Sequence, residues 1–222
     1  MRPAHLLTWA WLLLAGGASA LEVAAVVQKV QERYDATRDF TAAVKQEMTI
    51  ASLGKTTTAT GTVAFKRPGK MRWEFDRGAR DIIVADGSTL WFYQPDEQQV
   101  LKAPFEEAFR STTPISFLTG AGRLAQDFDA SIDGTSPDGR LIFLMLAPRS
   151  DSATGAGAAV GKLRLTVASD TGEIRGAEVH DPLGNVSRLQ FEDIKRNQGL
   201  SDDRFTFQVP PGVDVITAPM AR

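Results

Sequence analysis

Residues 61–96 read GTVAFKRPGKMRWEFDRGARDIIVADGSTLWFYQPD, and no other stretch restricts the fold as much. Phe65, Met71, Trp73 and Phe75 fall at odd positions with polar residues between them. A period of two places alternate side chains on one face of a sheet. Arg67-Pro68-Gly69-Lys70 reads as a turn, because proline fixes φ and glycine tolerates positive φ. Asp86-Gly87 is a second hairpin signal, between Ile82-Ile83-Val84 and Leu90-Trp91-Phe92-Tyr93. Four short strands joined by tight turns follow, with one large aromatic face and a single guanidinium, Arg67, beside it. A filled hydrophobic core has the same pattern, so alternation alone leaves core and cavity both open.

The rest of the chain extends this meander. Val23, Val26, Val27, Val30 and Tyr34 recur at steps of three and four, which predicts an N-terminal helix with one apolar stripe. Period-two or β-branched segments predict strands at Phe40–Ala51, Thr56–Lys66, Gln98–Leu101, Phe128–Ile132, Arg140–Leu146, Lys162–Ala168, Glu173–His180 and Asn185–Lys195. Asp127 and Asp129, flanking Phe128, read as the wet face of one of them. Phe105–Arg110 and Pro114–Leu124 read as helical, with Thr113 as cap and Pro114 at the first position. Ser150–Gly161 is a Gly/Ala/Ser loop. The predicted class is mainly β with α: one strongly curved antiparallel sheet of about eleven strands, covered on its concave side by the N-terminal helix and the mid-chain helical insert.

At the N-terminus, Arg2, the apolar run Leu6–Leu14 and Ala18-Ser19-Ala20 have the form of a secretory signal peptide. Residues 1–20 are expected to be cleaved, leaving 21–222 as a single domain and a soluble periplasmic protein. The chain carries a formal charge of −2, has no basic stripe and contains no cysteine. Nucleic acid is therefore not an expected partner, and export is not accompanied by disulfides.

Catalytic machinery is not evident. One of the two histidines, His5, lies in the expected signal; the other, His180, sits at a strand end as a solvated or capped residue. Neither H-E-x-x-H nor G-x-S-x-G occurs, and no His/Asp/Glu set has metal-ligand spacing. The sequence reads as that of a non-enzyme with no cofactor and no metal.

KRPGKMRWEF together with DGSTLWFY resembles the signature of the LolA family, periplasmic carriers of outer-membrane lipoproteins. The likeness continues in order through Thr113–Leu118, Asp181–Val186 and Phe205–Ile216. It implies an unclosed half-barrel that shields acyl chains between the sheet and a helical lid. The acyl cavity would be lined by Phe65, Met71, Trp73 and Phe75, and the lid would include Pro114, Ile115, Phe117 and Leu118. Arg67 matches the arginine that ties lid carbonyls in the closed form, and Lys66, Lys70 and Arg72 would face solvent near the mouth. The implied partners are acylated lipoproteins, an inner-membrane LolCDE-type ABC transporter and an outer-membrane LolB-like acceptor, served by a monomeric carrier. The same fold also suits a carrier of another lipid or glycolipid, or a lipid-responsive sensor. Met71 stands where relatives often carry a larger aromatic residue.

Overall fold

A computed structural model describes residues 15–105, 124–149, 162–181 and 183–217. The chain opens with helix α1 (Ala15–Asp35), which runs through the expected cleavage site. Strands β1 (Asp39–Ile50), β2 (Lys55–Lys66), β3 (Lys70–Arg77), β4 (Ile82–Asp86), β5 (Thr89–Gln94) and β6 (Gln99–Pro104) then follow as a continuous meander. A single helical turn, α2 (Leu124–Asp127), leads into β7 (Phe128–Thr135), β8 (Leu141–Pro148), β9 (Lys162–Ala168), β10 (Ile174–His180) and β11 (Val186–Arg196). The last strand is β12 (Asp214–Thr217).

Among the described residues these form one twelve-stranded sheet in the order β12-β6-β5-β4-β3-β2-β1-β11-β10-β9-β8-β7. All neighbours are antiparallel except β12, which lies parallel to β6. The two edge strands do not pair with each other, so the curved sheet stays unclosed. Eleven of the strands are those that the alternation predicts. The twelfth was not foreseen: it has four residues, follows Pro210-Pro211-Gly212, and is exposed along its whole length, so it carries no alternation.

Turn chemistry holds the registers. Gly69 and Gly87 both take positive φ, at the β2–β3 and β4–β5 turns, and the Arg67-Pro68 peptide is cis. Gly61 is required for a different reason. A Cβ there would lie 1.9 Å from the Glu74 carbonyl oxygen, at the irregularity where β2 meets β3.

The register fixes which residues share a face. Phe65 pairs with Met71, and Val63 with Trp73, which pairs in turn with Ile83. This inner face carries two hydrophobic clusters. In the first, Val27 and Val30 of α1 pack with Leu124 and with Leu144, Leu146, Leu163, Leu165 and Val167 of β8 and β9. The second holds Val44, Val63, Phe65, Met71, Trp73 and Phe191, with Phe40, Phe75 and Phe105 packed against it. The apolar stripe of α1 thus fills one half of the hollow. The predicted cover over the other half, including Pro114, Ile115, Phe117 and Leu118, falls on residues 106–123, outside those described; the Ser150–Gly161 loop does too.

The segment after β11 crosses the outer face. Arg72 pairs with Val84, and Val84 with Trp91, so all three point away from Trp73. Phe205 is buried against this side, and the Phe207 ring lies 6.2 Å from Trp91 and 5.9 Å from Tyr93. Asp39 anchors the start of the crossing: its buried carboxylate accepts hydrogen bonds from the amides of Gln198, Gly199 and Leu200.

Two local expectations need correction. Asp127 belongs to α2 and is buried, not on the wet face of a strand. Arg72 is not simply solvated: it pairs with Glu74 at 2.5 Å and donates to the carbonyls of Arg204 and Thr206.

Candidate functional site: an aromatic hollow with a guanidinium at its mouth

Four of the sequence-picked residues come together on the inner face. Phe65, Met71 and Trp73 are almost fully buried, and Phe75 packs at their margin. Trp73 is the hub. Its ring centroid lies 5.9 Å from Phe75, 6.2 Å from Phe65 in an edge arrangement, and 6.4 Å from Phe191. Phe40 stacks on Phe65 at 4.8 Å. Phe40 and Phe191 come from β1 and β11, far from the signature in sequence, so pattern reading could not attach them to it. Rings at these separations make the offset and edge contacts that aromatic groups favour.

The Trp73 indole N–H is buried and has no hydrogen-bond partner among the described residues. An unmade hydrogen bond of this kind costs roughly 1–3 kcal/mol.

Arg67 stands where the hollow opens, in the turn between β2 and β3. It donates to the Tyr34 carbonyl at 2.8 Å, and its guanidinium lies over the Tyr34 ring, 3.9 Å from the centroid. Asp35 is a weaker neighbour at 3.8 Å. Tyr34 belongs to the last turn of α1, where the helix dipole attracts cations, and its carbonyl also accepts from the Thr37 amide at 3.0 Å. Arg67 is therefore a tertiary cap on α1. The neighbouring carbonyls are met in the same way: Thr37 Oγ1 donates to the Arg33 carbonyl, and Asn197 Nδ2 to the Ala36 carbonyl. Burial pushes the Tyr34 phenol above its ordinary range, against the lowering pull of Arg67.

α1 is held from its other flank by the turn between β9 and β10. Lys29 Nζ donates to the Ser169 carbonyl, and Arg33 Nε to the Thr171 carbonyl. Gly172 makes this approach possible: it has φ of +70°, and a Cβ would lie 2.6 Å from the Lys29 carbonyl oxygen. Between the two clamps, a cavity of about 70 Å³ sits at the mouth. It has room for a few water molecules and not for an acyl chain. At the mouth the protein's own side chains therefore fill most of the space.

Lys66 and Lys70 flank Arg67, and both reach Asp202 on the outer face, at 2.6 and 2.7 Å. These bonds hold the Asp202 carboxyl down at about 2. The sequence offered no sign of this partner, which lies more than 130 residues away. His180 bonds to Glu178, as does Arg188. Partial burial of Glu178 raises its carboxyl, but these two bonds outweigh that and leave it lowered. Among the described residues no group of three His, Cys, Asp or Glu side chains is placed to hold a metal ion. No described helix is long and apolar enough to cross a membrane.

Sheet, hollow and mouth together define an open antiparallel half-barrel with an apolar, aromatic interior. The family model for the outer membrane lipoprotein carrier protein LolA matches residues 35–208. The chain belongs to the LolA family. An outer-membrane lipoprotein carrier protein of Methylobacillus flagellatus is 30% identical over 190 residues, covering 86% of this chain and 88% of that one. A protein of the same name from Nitrosomonas europaea is 34% identical over 158 residues, covering 71% and 72% of the respective chains. Among solved structures, an uncharacterized conserved protein of Thermus thermophilus matches with a TM-score of 0.54 at 15% identity, covering 90% of this chain and 99% of that chain. That likeness concerns the fold alone.

Proposed function

We propose that this protein is a periplasmic carrier that shields the acyl chains of lipoproteins between the two membranes and catalyses no reaction. Membership of the LolA family supports the reading, and so does the aromatic hollow, in which Phe65, Met71, Trp73 and Phe75 would line the acyl cavity. The observation that carries it is a hollow half filled by its own helix, which is held to the surrounding turns by retractable hydrogen bonds to carbonyls. Shielding fifteen methylenes from water is worth roughly 12 kcal/mol before costs, at ~0.8 kcal/mol each. Against that gain stand the contacts by which α1 and the aromatic cluster already fill the space. Net affinity is therefore modest, as a carrier that must let go requires.

In this reading cargo arrives from a LolCDE-type ABC transporter in the inner membrane and leaves to a LolB-like acceptor in the outer membrane. Arg67 and the segment holding Pro114, Ile115, Phe117 and Leu118 regulate access. The first twenty residues direct export and are removed. A release assay tests the proposal: spheroplasts of the source organism are incubated with the purified protein, and the supernatant is analysed by native mass spectrometry. Stoichiometric complexes with intact acylated lipoproteins are expected. Complexes with free lipid alone would overturn the choice of cargo.

A further inference from the structure

Two properties of the cavity at the mouth bear on what it can hold. Its apolar wall is drawn from both hydrophobic clusters: Val30 from the first, Phe65 and Phe191 from the second, and Ile174, which packs against both. It therefore marks the seam along which the two halves of the hollow can part. Four arginines, Arg33, Arg38, Arg67 and Arg196, are also among its lining residues, on a chain whose formal charge is −2.

The local acids do not neutralise this ring. Asp39 spends its carboxylate on three backbone amides. Glu173 is shared between Arg175 and Arg196, at 2.9 and 3.1 Å. Asp35 is exposed and stands 3.8 Å from Arg67. Arg33 is engaged by the Thr171 carbonyl. Arg67 is engaged by Tyr34, through its carbonyl and its phenol side chain, and has five N–H donors in all. Among the described residues the Arg38 guanidinium has neither a hydrogen bond nor an ion pair, although it lines the cavity.

We propose that this mouth is a binding site for the anionic head of a single-chain amphiphile, a carboxylate or a phosphate monoester, with Arg38 and Arg67 as its ligands. Guanidinium forks match both anions, and the hydrocarbon would follow into the seam between the clusters. Binding and opening are coupled. An anion that recruits Arg67 competes with the Tyr34 carbonyl, removes the cap from α1 and loosens the turn that supplies Val30 and Tyr34 to the cavity wall. The head would thus release the helix that blocks its own tail. This activity is additional to lipoprotein carriage and does not depend on it.

The test uses protein purified from the periplasm after export of the full-length chain. Isothermal titration with decanoate, decyl phosphate and 1-decanol, all at submicellar concentration, compares one tail with three heads. At least one anion is expected to bind about tenfold more tightly than the alcohol, as one charge-assisted contact in a half-exposed site supplies. Tighter binding of decanoate assigns the site to carboxylates, and tighter binding of decyl phosphate to phosphates. Arg38→Gln, at an exposed position where the backbone and not the side chain bonds to the fold, is expected to reduce the preference, and Arg38→Gln/Arg67→Gln to abolish it. Equal affinities for the alcohol and both anions would overturn the proposal, and so would a preference that survives in the double variant. The release assay is read independently. Lipoprotein complexes without anion preference sink only this inference, and the converse sinks only the carrier reading.

Discussion

Arg67→Leu is the substitution for which the structure gives the most definite magnitude. It removes the 2.8 Å hydrogen bond to the Tyr34 carbonyl and the guanidinium over the Tyr34 ring. A dry charge-assisted hydrogen bond contributes roughly 1.5–3 kcal/mol, and a cation over an exposed ring about 0.5–1 kcal/mol. The Arg67 side chain is 32% exposed, so both figures are discounted. The Asp35 contact, longer and wetter, adds next to nothing. About 2 kcal/mol remains, which in a domain of this size lowers the melting midpoint by roughly 4–8 °C. The loss should be local as well as global. Amides in the last turn of α1, from Val30 to Thr37, should exchange faster while those of β1 and β2 remain protected.

The same variant separates stability from function. If loading breaks the Arg67 tie, the tie stabilises the empty state alone, and its removal leaves the loaded state untouched. The equilibrium for unloading then shifts against release by the same 2 kcal/mol, about thirtyfold. Complexes should still form, and transfer to an outer-membrane acceptor should slow. The assay is transfer of a labelled lipoprotein from purified complex to acceptor, run beside hydrogen exchange. A wild-type exchange pattern in α1, or a thermal midpoint within one degree of wild type, would refute the capping role. Faster exchange with unchanged transfer would refute its link to release.

Three further expectations rest on other parts of the molecule. In a Trp91→Phe variant the remaining folded-domain tryptophan is Trp73, and its emission should shift when acyl chains enter; an unchanged spectrum at saturation would place it outside the cargo site. Asp202 titrates at about 2 in the folded state, below the ordinary carboxylate value of about 3.9. Its stabilising effect is therefore complete above pH ~4 and disappears as pH falls through 2, so Asp202→Asn should flatten the acid limb of a pH–stability curve; a limb of unchanged slope would argue against the clamp. Gly61→Ala places a Cβ 1.9 Å from a backbone oxygen, and should cost more than about 3 kcal/mol or prevent folding in a urea titration.

How much of this was legible in the sequence depended on whether a residue's environment is local. Trp73 and its partners on β3 announced their shared face because strand period is intrinsic to the chain. Asp86-Gly87 announced a turn for the same reason. β12 could not, since a short, exposed strand paired in parallel has neither alternation nor a hairpin signal. The role of Asp39 was not legible either, because its three amide partners lie about 160 residues away. Arg72 looked solvated, because the carbonyls that receive it belong to the late crossing segment. Arg67 was singled out through family likeness, but its described partner, the end of α1, is a tertiary fact that no spacing encodes.

The placement of these long-range polar contacts bears on how the hollow can open without the sheet unravelling. On the outer face, Asp39 holds three amides, Asp202 joins two lysines, Arg72 caps two carbonyls and Phe205 is buried beside them. Those bonds brace β1, β2 and β3 from behind, and none of them involves α1. On the inner side, α1 is held by donors to carbonyls at one turn, by Arg67 at another, and by an apolar stripe. Parting α1 from the sheet leaves every outer contact intact, and water can take over the exposed carbonyls at small net cost. The aromatic cluster has no such replacement, because its exposure to water is costly in proportion to area. The hollow therefore gains by opening only where apolar surface is ready to replace what α1 gives up. Opening that depended on such surface in this way would suit a carrier and not a pore.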